Sequence, residues 1–392
     1  MSSPRLEIAD VFRQHEKEFF AQWGSTLTTQ QRKVFRDICA CRTAACGARV
    51  EQCDQCSDRT LRFNSCGNRH CPGCQSSARD RWLAKMARDL LPVPYCHVVF
   101  TLPGQLVPLA FQNVRVIYNL LFQAASEALI TIAADPKRMG ARVGFLAVLH
   151  TWNQKLHLHP HLHCLVPSGG LSSDRSRWIH SRKRFFLPVR VLGSRFRNQF
   201  LKLLGAAWRG GRLRLSGSIT HLRHAAAFDR LVSQLKRLKW VVYAKRPFGG
   251  PEYVLKYLAR YTHRVAISSG RLISCENGKV TFRWRDSAHG NQQKVMTLDA
   301  VEFIRRFLQH VLPSGFVKIR HFGFLANPCR KKSLLTARAL LVSRPAPEVT
   351  LNKEQHNAVE RKCRVCEAGR LIVLGWLPPD LAILVYSGVN SS

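Results

Sequence analysis

Leu156-His157-Leu158-His159-Pro160-His161-Leu162-His163-Cys164-Leu165-Val166 decides how the middle of this chain is read. The stretch sets two histidines at i and i+2, with a leucine between them and an apolar run after them. Side chains of an extended strand alternate faces, so His161 and His163 point the same way. Two imidazoles side by side on a rigid strand make half of a site for a divalent metal. Working outward, Gly144–Trp152 and Tyr95–Pro103 read as further strands, and Ser168-Gly169-Gly170 as a turn.

About a hundred residues later comes Tyr253-Val254-Leu255-Lys256-Tyr257-Leu258-Ala259-Arg260-Tyr261, with tyrosines every four residues. That repeat stacks them on one face of a helix starting near Pro251 and running to about Arg264. Apolar spacing predicts other helices over 4–23, 28–40, 76–91, 113–133, 191–209, 226–240 and 299–311. Val265–Ile273 and Lys279–Trp284 read as strands, with Glu276-Asn277-Gly278 as a hairpin turn. Pro92-Val93-Pro94 marks a boundary, and Pro345 and Pro347 begin a linker-like tail. The resulting division is 1–91, 92–270, 271–345 and 346–392.

The chain has 392 residues, with 61 Lys and Arg against 24 Asp and Glu, a formal net charge of +37. The excess is densest at Arg32–Arg42, Arg175–Arg214 and Lys318–Lys332. An intracellular protein this basic most often binds nucleic acid. Ribosomal and histone-like proteins share the charge but are usually shorter and poorer in tryptophan and cysteine; this chain has 8 and 14. Met1–Asp10 is polar and has no secretory core, and Leu371–Tyr386 is interrupted by Pro378, Pro379 and Asp380, so no membrane span is expected. The cytoplasm, in association with the nucleoid, is the expected location. There, 14 cysteines point to metal rather than disulfides.

Cys53-x-x-Cys56 and Cys71-x-x-Cys74 are separated by 14 residues. Each pair can bend around one ion, and four thiolates close a tetrahedral zinc site. Cys41, Cys66 and His70, with Cys46 in reserve, are candidates for a second zinc; otherwise Cys66 and His70 only support the first. So small a module makes no large core and reads as a DNA-docking element, flanked by Arg62, Arg69, Arg79 and Arg81.

A histidine pair, a tyrosine row and a basic chain together fit a tyrosine nucleophile acting on DNA phosphate. That chemistry needs phosphate charge neutralised, which a divalent metal does. It also needs a phenol, of ordinary pKa about 10, placed in line and deprotonated. Gln154, His157, His159 and His150 are candidates for the third ligand. Gln154, just after the preceding strand, is preferred, and a mixed imidazole and amide site suits Mg²⁺ or Mn²⁺. Taken singly, a His-x-His is more often a surface strand pair, and tyrosines at i and i+4 more often packing. Their order beside a cysteine module in a +37 chain favours the catalytic reading.

Five blocks carry a resemblance over roughly residues 20–340. They are Asn64-Ser65-Cys66 with Asn68-Arg69-His70-Cys71-Pro72-Gly73-Cys74, His97–Pro103, His159–Cys164, Tyr257–Arg264 and Arg320–Asn327. In this order they resemble the rolling-circle transposases of the two-tyrosine HUH type that carry an N-terminal transposase zinc-binding domain. The resemblance implies an α+β fold, with an HUH-nuclease-type antiparallel sheet of about five strands, flanking helices and a small zinc domain before it. The sheet would be a relative of the ferredoxin-like fold. It implies His161 and His163 as metal ligands and Tyr257 and Tyr261 as nucleophiles, leaving Tyr253 to packing. It implies strand transfer on single-stranded DNA ends of the protein's own mobile element, with structural Zn²⁺ and catalytic Mg²⁺ or Mn²⁺. Arg69, Arg260, Arg264 and Arg320, within the matching blocks, are the expected DNA contacts. No small-molecule substrate is implied.

The chain departs from the family at Arg49, where relatives commonly carry a histidine, and Cys363-x-x-Cys366 has no obvious second pair. That C-terminal pair is half of a metal site or two ordinary thiols. A plasmid-type replication initiator or relaxase shares the chemistry. Relaxases usually place the tyrosines before the histidines, and the zinc module favours the transposase. A non-catalytic zinc-dependent DNA-binding protein is the third reading.

Overall fold

The computed structural model describes residues 6–182, 186–245, 253–254, 266–286, 289–341 and 361–389. It divides into two units, one made of 1–78, 267–311 and 348–392, the other of 79–266 and 312–347. The consecutive domains expected from sequence are thus interleaved: the 271–345 segment is shared between both units, and the tail belongs with the N-terminus.

In chain order the described elements begin with α1 (Ile8–Gln14), α2 (Glu16–Trp23), α3 (Thr29–Ala40), β1 (Ala48–Cys53), β2 (Arg59–Phe63), α4 (Gln75–Ala87) and β3 (Tyr95–Thr101). There follow α5 (Val107–Gln112), α6 (Val114–Ala134), β4 (Gly144–Trp152), β5 (Leu158–Pro167), β6 (Gly169–Leu171), β7 (Trp178–His180), α7 (Val189–Arg209), α8 (Ala225–Arg237) and β8 (Val242–Ala244). The last are β9 (Leu272–Glu276), β10 (Lys279–Asp286), β11 (Gln292–Asp299), α9 (Ala300–Leu308), β12 (Ile319–Gly323), α10 (Arg330–Ala339), β13 (Leu371–Leu377) and α11 (Pro379–Val389).

In the first unit, the single helix expected over 4–23 breaks at His15, whose φ of −114° and ψ of 20° lie outside the helical region. The break lets both halves present phenylalanines to one cluster. Phe12 lies 5.0 Å from Phe35 and 5.3 Å from Phe307, and Phe19 stacks on Phe35 at 5.6 Å. Each such ring contributes about 2 kcal/mol by burial. Thr28 opens α3 with a capping box, its hydroxyl accepting from the Gln31 N–H. Two antiparallel sheets complete the unit, ordered β13-β1-β2 and β11-β10-β9. The expected hairpin forms at Asn277 (φ +50°) and Gly278 (φ +71°), the left-handed pair of a two-residue turn.

The second unit holds a five-stranded antiparallel sheet, ordered β12-β4-β5-β3-β8. This is the α+β architecture expected, with the histidine strand β5 at its centre. Period-2 alternation sorts its residues. Val98, Phe100, Phe145, Leu149, Leu162 and Val166 face a core shared with Phe122, Phe196, Phe200 and Trp240 of the helical side. Tyr95, Leu146, Val148 and Leu165 face a smaller cluster with Leu91, Phe324, Leu334 and Ala337. Among the described helices only α6 is long and apolar enough to cross a membrane; 61% of its apolar window is buried, and Leu121, Ala125 and Leu129 lie in the core.

Strand β12 arises inside the basic Lys318–Lys332 segment, where no strand was expected. It ends at Gly323, whose φ of +61° and close approach to Val143 leave no room for a Cβ, which would overlap the Val143 carbonyl oxygen. Gly323→Ala should therefore destabilise the second unit by about 3 kcal/mol or more, strain and overlap acting together. A urea unfolding midpoint equal to wild type would refute this.

Candidate metal centre and cysteine clusters

The site is built by strand register. His150 on β4 lies directly opposite His161 on β5, and Val148 opposite His163. Residues opposite each other share a face, so the register adds His150 to the sequence-adjacent pair. Ring nitrogens of His150, His161 and His163 all lie within 4.8 Å of one another. The His150 and His163 rings are 4.5 Å apart, those of His161 and His163 4.9 Å. Trp152 stacks on His150 at 4.6 Å, beyond a bulge between the two residues.

Partners outside the trio orient two of its rings. His161 Nδ1 lies 2.6 Å from the His159 carbonyl oxygen, to which it donates, leaving Nε2 as the lone-pair nitrogen. His163 Nδ1 lies 2.8 Å from Nε2 of His97 on β3, so its other nitrogen is the one available to a ligand. Burial pushes the imidazolium pKa of His161 down to about 4 and of His97 to about 3. His163 is held well below the ordinary range by burial first, then by His150, His161 and His97. At neutral pH these imidazoles are neutral and offer lone pairs, as a metal ligand must.

The sequence preferred Gln154 as the third ligand. Gln154 is exposed in the β4–β5 turn, as are His157 and His159 near the start of β5. Adjacency in sequence pointed to Gln154, but pairing across strands brings His150 to the other two histidines. The donor set becomes three imidazoles. Imidazole donors suit a divalent transition ion better than Mg²⁺, which prefers oxygen.

The cysteines group otherwise than their spacing suggests. The two N-terminal pairs do not converge on one ion. Cys71 and Cys74 group with Cys41 and Cys66, whereas Cys53 and Cys56 group with Cys363 and Cys366. Cys41 and Cys66 each place Sγ 3.6 Å from Cys74 Sγ. Cys41 is the residue at which α3 ends, and the 72–74 turn reaches it there. Cys53 instead ends β1, beside β13. Hydrogen bonds within the cluster divide the thiols: Cys41 is held down to about 7 by Cys66 and Cys71, and Cys74 is lowered by Cys41, Cys66 and Cys71, whereas Cys66 and Cys71 are raised. His70 is buried but stays outside the cluster, its Nδ1 3.3 Å from Asn68 Oδ1. Cys46 faces the Ala40 carbonyl.

Residues 144–333 match the family described as "Putative transposase", and residues 11–102 match "Transposase zinc-binding domain", of IS91 type. "Putative transposase y4qJ" of Sinorhizobium fredii (strain NBRC 101917 / NGR234) is 51% identical over 377 residues, 94% of each chain. "Transposase for insertion sequence element IS801" of Pseudomonas savastanoi pv. phaseolicola is 31% identical over 319 residues, 79% of this chain and 73% of that one. This chain belongs to the IS91-type transposase family. No solved structure matches it.

It is therefore a DNA-cutting, DNA-binding protein with a zinc-binding domain, and the four-thiol cluster of Cys41, Cys66, Cys71 and Cys74 lies wholly within that domain. Tyr257, Tyr261, Arg260 and Arg264 of the transposase fall outside the described residues. Next to them, Val254 is fully buried in the cluster on the histidine face of the sheet, with Leu146, Val148 and Leu165. Tyr253, assigned to packing by sequence, is instead 63% exposed.

Arg320 of the transposase is turned away from the histidines. It pairs with Ala147, a residue of the helical-side core. Its guanidinium lies 4.1 Å from the Phe122 ring centre and donates to Asn119 Oδ1 at 2.7 Å. Its neighbour His321 takes the histidine side, opposite Leu146. Arg69 is half-buried, its carbonyl accepting from Gln75.

Proposed function

We propose that this transposase cuts and rejoins single-stranded DNA at the ends of its own mobile element by rolling-circle transposition. Tyr257 and Tyr261 are the nucleophiles in this reading, and His161, His163 and His150 the ligands of a divalent ion, Mn²⁺ or Mg²⁺. The observation that carries it is the meeting of three imidazoles on the face of the sheet where Val254 is buried.

Helical geometry supports the choice of tyrosines. On the helix expected from the sequence, at about 100° per residue, Tyr261 would fall roughly 20° and Tyr257 roughly 60° from the direction of Val254, and Tyr253 roughly 100° away. Tyr253 is the exposed one.

Bound at the three histidines, a divalent ion would supply charge neutralisation and polarisation at the scissile phosphate. The chain's own residues do the rest. His97 and the His159 carbonyl hold the ligand rings in orientation. A tyrosine phenol, losing its proton, forms the new P–O bond to the 5′ phosphate. The P–O3′ bond breaks, and the departing 3′ oxygen takes up a proton. The phosphotyrosine conserves the energy of the broken linkage, so a 3′ hydroxyl can later displace it. Two tyrosines allow one DNA end to be held while the second is cut. The +37 charge suits a substrate of phosphates, and the nucleoid is the place of action.

The purified protein is incubated with 5′- or 3′-labelled single strands spanning the DNA that flanks its gene, in Mn²⁺, Mg²⁺ or EDTA. A metal-dependent covalent adduct that keeps the DNA on the 3′ side of the nick is expected, with Mn²⁺ at least as effective as Mg²⁺. Tight binding without an adduct in either metal overturns the reading.

A further inference from the structure

We infer that Cys53, Cys56, Cys363 and Cys366 form a second zinc site, which fastens the C-terminal segment onto the N-terminal sheet. The zinc-binding family match ends at residue 102, so it contains only half of these ligands. The other half lies more than 300 positions later, with Cys56 and Cys363 separated by 307 and Cys53 and Cys366 by 313.

The geometry is that of a tetrahedral thiolate site. Cys53 Sγ lies 3.6 Å from Cys366 Sγ, and Cys56 Sγ 3.6 Å from Cys363 Sγ. All four sulfurs lie within 4.8 Å of one another. Zinc–sulfur bonds of about 2.3 Å place tetrahedral ligands about 3.8 Å apart.

Both halves are the same backbone turn. Each Cys-x-x-Cys is followed by a residue in the left-handed region, Ser57 at φ +57° and Glu367 at φ +55°. In each half a backbone N–H two residues beyond the first cysteine points at its sulfur, Gln55 N to Cys53 at 3.4 Å and Val365 N to Cys363 at 3.3 Å. Gly369 N adds a donor to Cys366 Sγ at 3.3 Å. Such donors stabilise thiolate over thiol. A Cβ on Gly369 would overlap Cys53 Sγ, so the second turn approaches the first as closely as a glycine permits.

The surroundings hold the two turns together. Asp54 N donates to the Arg370 carbonyl at 3.0 Å, and Arg370 N to Asp54 Oδ1 at 2.7 Å. β13 pairs with β1 from Ala48↔Leu377 to Cys53↔Leu371, delivering the C-terminal turn to the end of β1. Arg361 reaches the buried Glu51 carboxylate of β1 at 3.1 Å. Lys362, Arg364 and Arg370 flank the C-terminal pair and offset the negative charge of four thiolates on a divalent ion.

The test is cobalt substitution of the full chain, read by thiolate-to-cobalt charge-transfer absorbance, to which the three-histidine centre adds nothing. Wild type should show two thiolate-bound metals per chain. Cys363→Ser/Cys366→Ser should show one, with about half the absorbance. Cys66→Ser/Cys74→Ser should also show one, and the combined variant none. One metal in wild type, or two in Cys363→Ser/Cys366→Ser, overturns the site. If that double variant loses both metals by unfolding, Cys366→His decides, because imidazole is also a zinc ligand. Two metals with a weakened, blue-shifted band support the site, whereas a spectrum identical to wild type overturns it.

Discussion

A transposase carrying Tyr257→Phe and Tyr261→Phe together should bind its DNA ends with near-native affinity and form no covalent adduct. Each change removes one phenol oxygen and leaves the ring, so charge is preserved while the proposed nucleophile is lost. The expected fall in cleavage is on the order of 10³-fold or more, the scale on which removal of a nucleophile acts. The single variants separate the roles: with two tyrosines working in turn, each should still support one half of the exchange on a pre-nicked substrate. Denaturing gels with labelled strands read both outcomes. Wild-type adduct yield in the double variant would remove these tyrosines from the chemistry, whatever the fate of the metal.

His150→Ala and Gln154→Ala should separate just as sharply. Loss of one of three ligands should weaken Mn²⁺ binding by about 100-fold or more, since even partners of ligands typically change affinity by 10–100-fold. Gln154→Ala, in the exposed turn, should leave it unchanged. His161→Ala should abolish metal-dependent cleavage without loss of the thiolate-bound zinc. Calorimetric titration of Mn²⁺ into each variant reads this directly. Equal loss in Gln154→Ala and none in His150→Ala would return the third position to the amide.

The same histidines set an acid limit. His161, with a folded pKa of about 4 against an ordinary 6.5, binds fewer protons when folded than when unfolded. Its contribution to stability is fully present above pH 6.5 and is lost as pH falls through the folded value. His97 and His163 act in the same direction.

Much of this was legible because the relevant patterns are local. Alternation over Pro160–Val166 placed His161 and His163 on one face, and the structure extends this to Leu158–Pro167 as the central strand. Gly144–Trp152 was bounded correctly by its apolar run, and the Asn277-Gly278 turn by its need for two positive φ angles. The failures were of another kind. Strands β1, β2 and β13 are short or half-exposed and lack clean alternation. The packing of Arg320 on Phe122 joins distant parts of the chain, which no local pattern encodes.

The amino-acid sequence by itself determined the chemistry available: imidazoles two apart on a strand, tyrosines four apart in the chain, paired thiols two apart in turns, and a strongly basic chain. Each depends on backbone geometry within one turn or one strand, which residue spacing specifies. Only the tertiary structure decided which of these groups meet. His150 joins the histidine pair because β4 and β5 take one register, and a slip of one residue would have turned it to the other face. Cys53 and Cys56 part from Cys71 and Cys74 because β13 pairs with β1, bringing Cys363 and Cys366 to the end of that strand. Contacts between residues hundreds of positions apart follow from which buried surfaces fit together, and no short-range spacing encodes that.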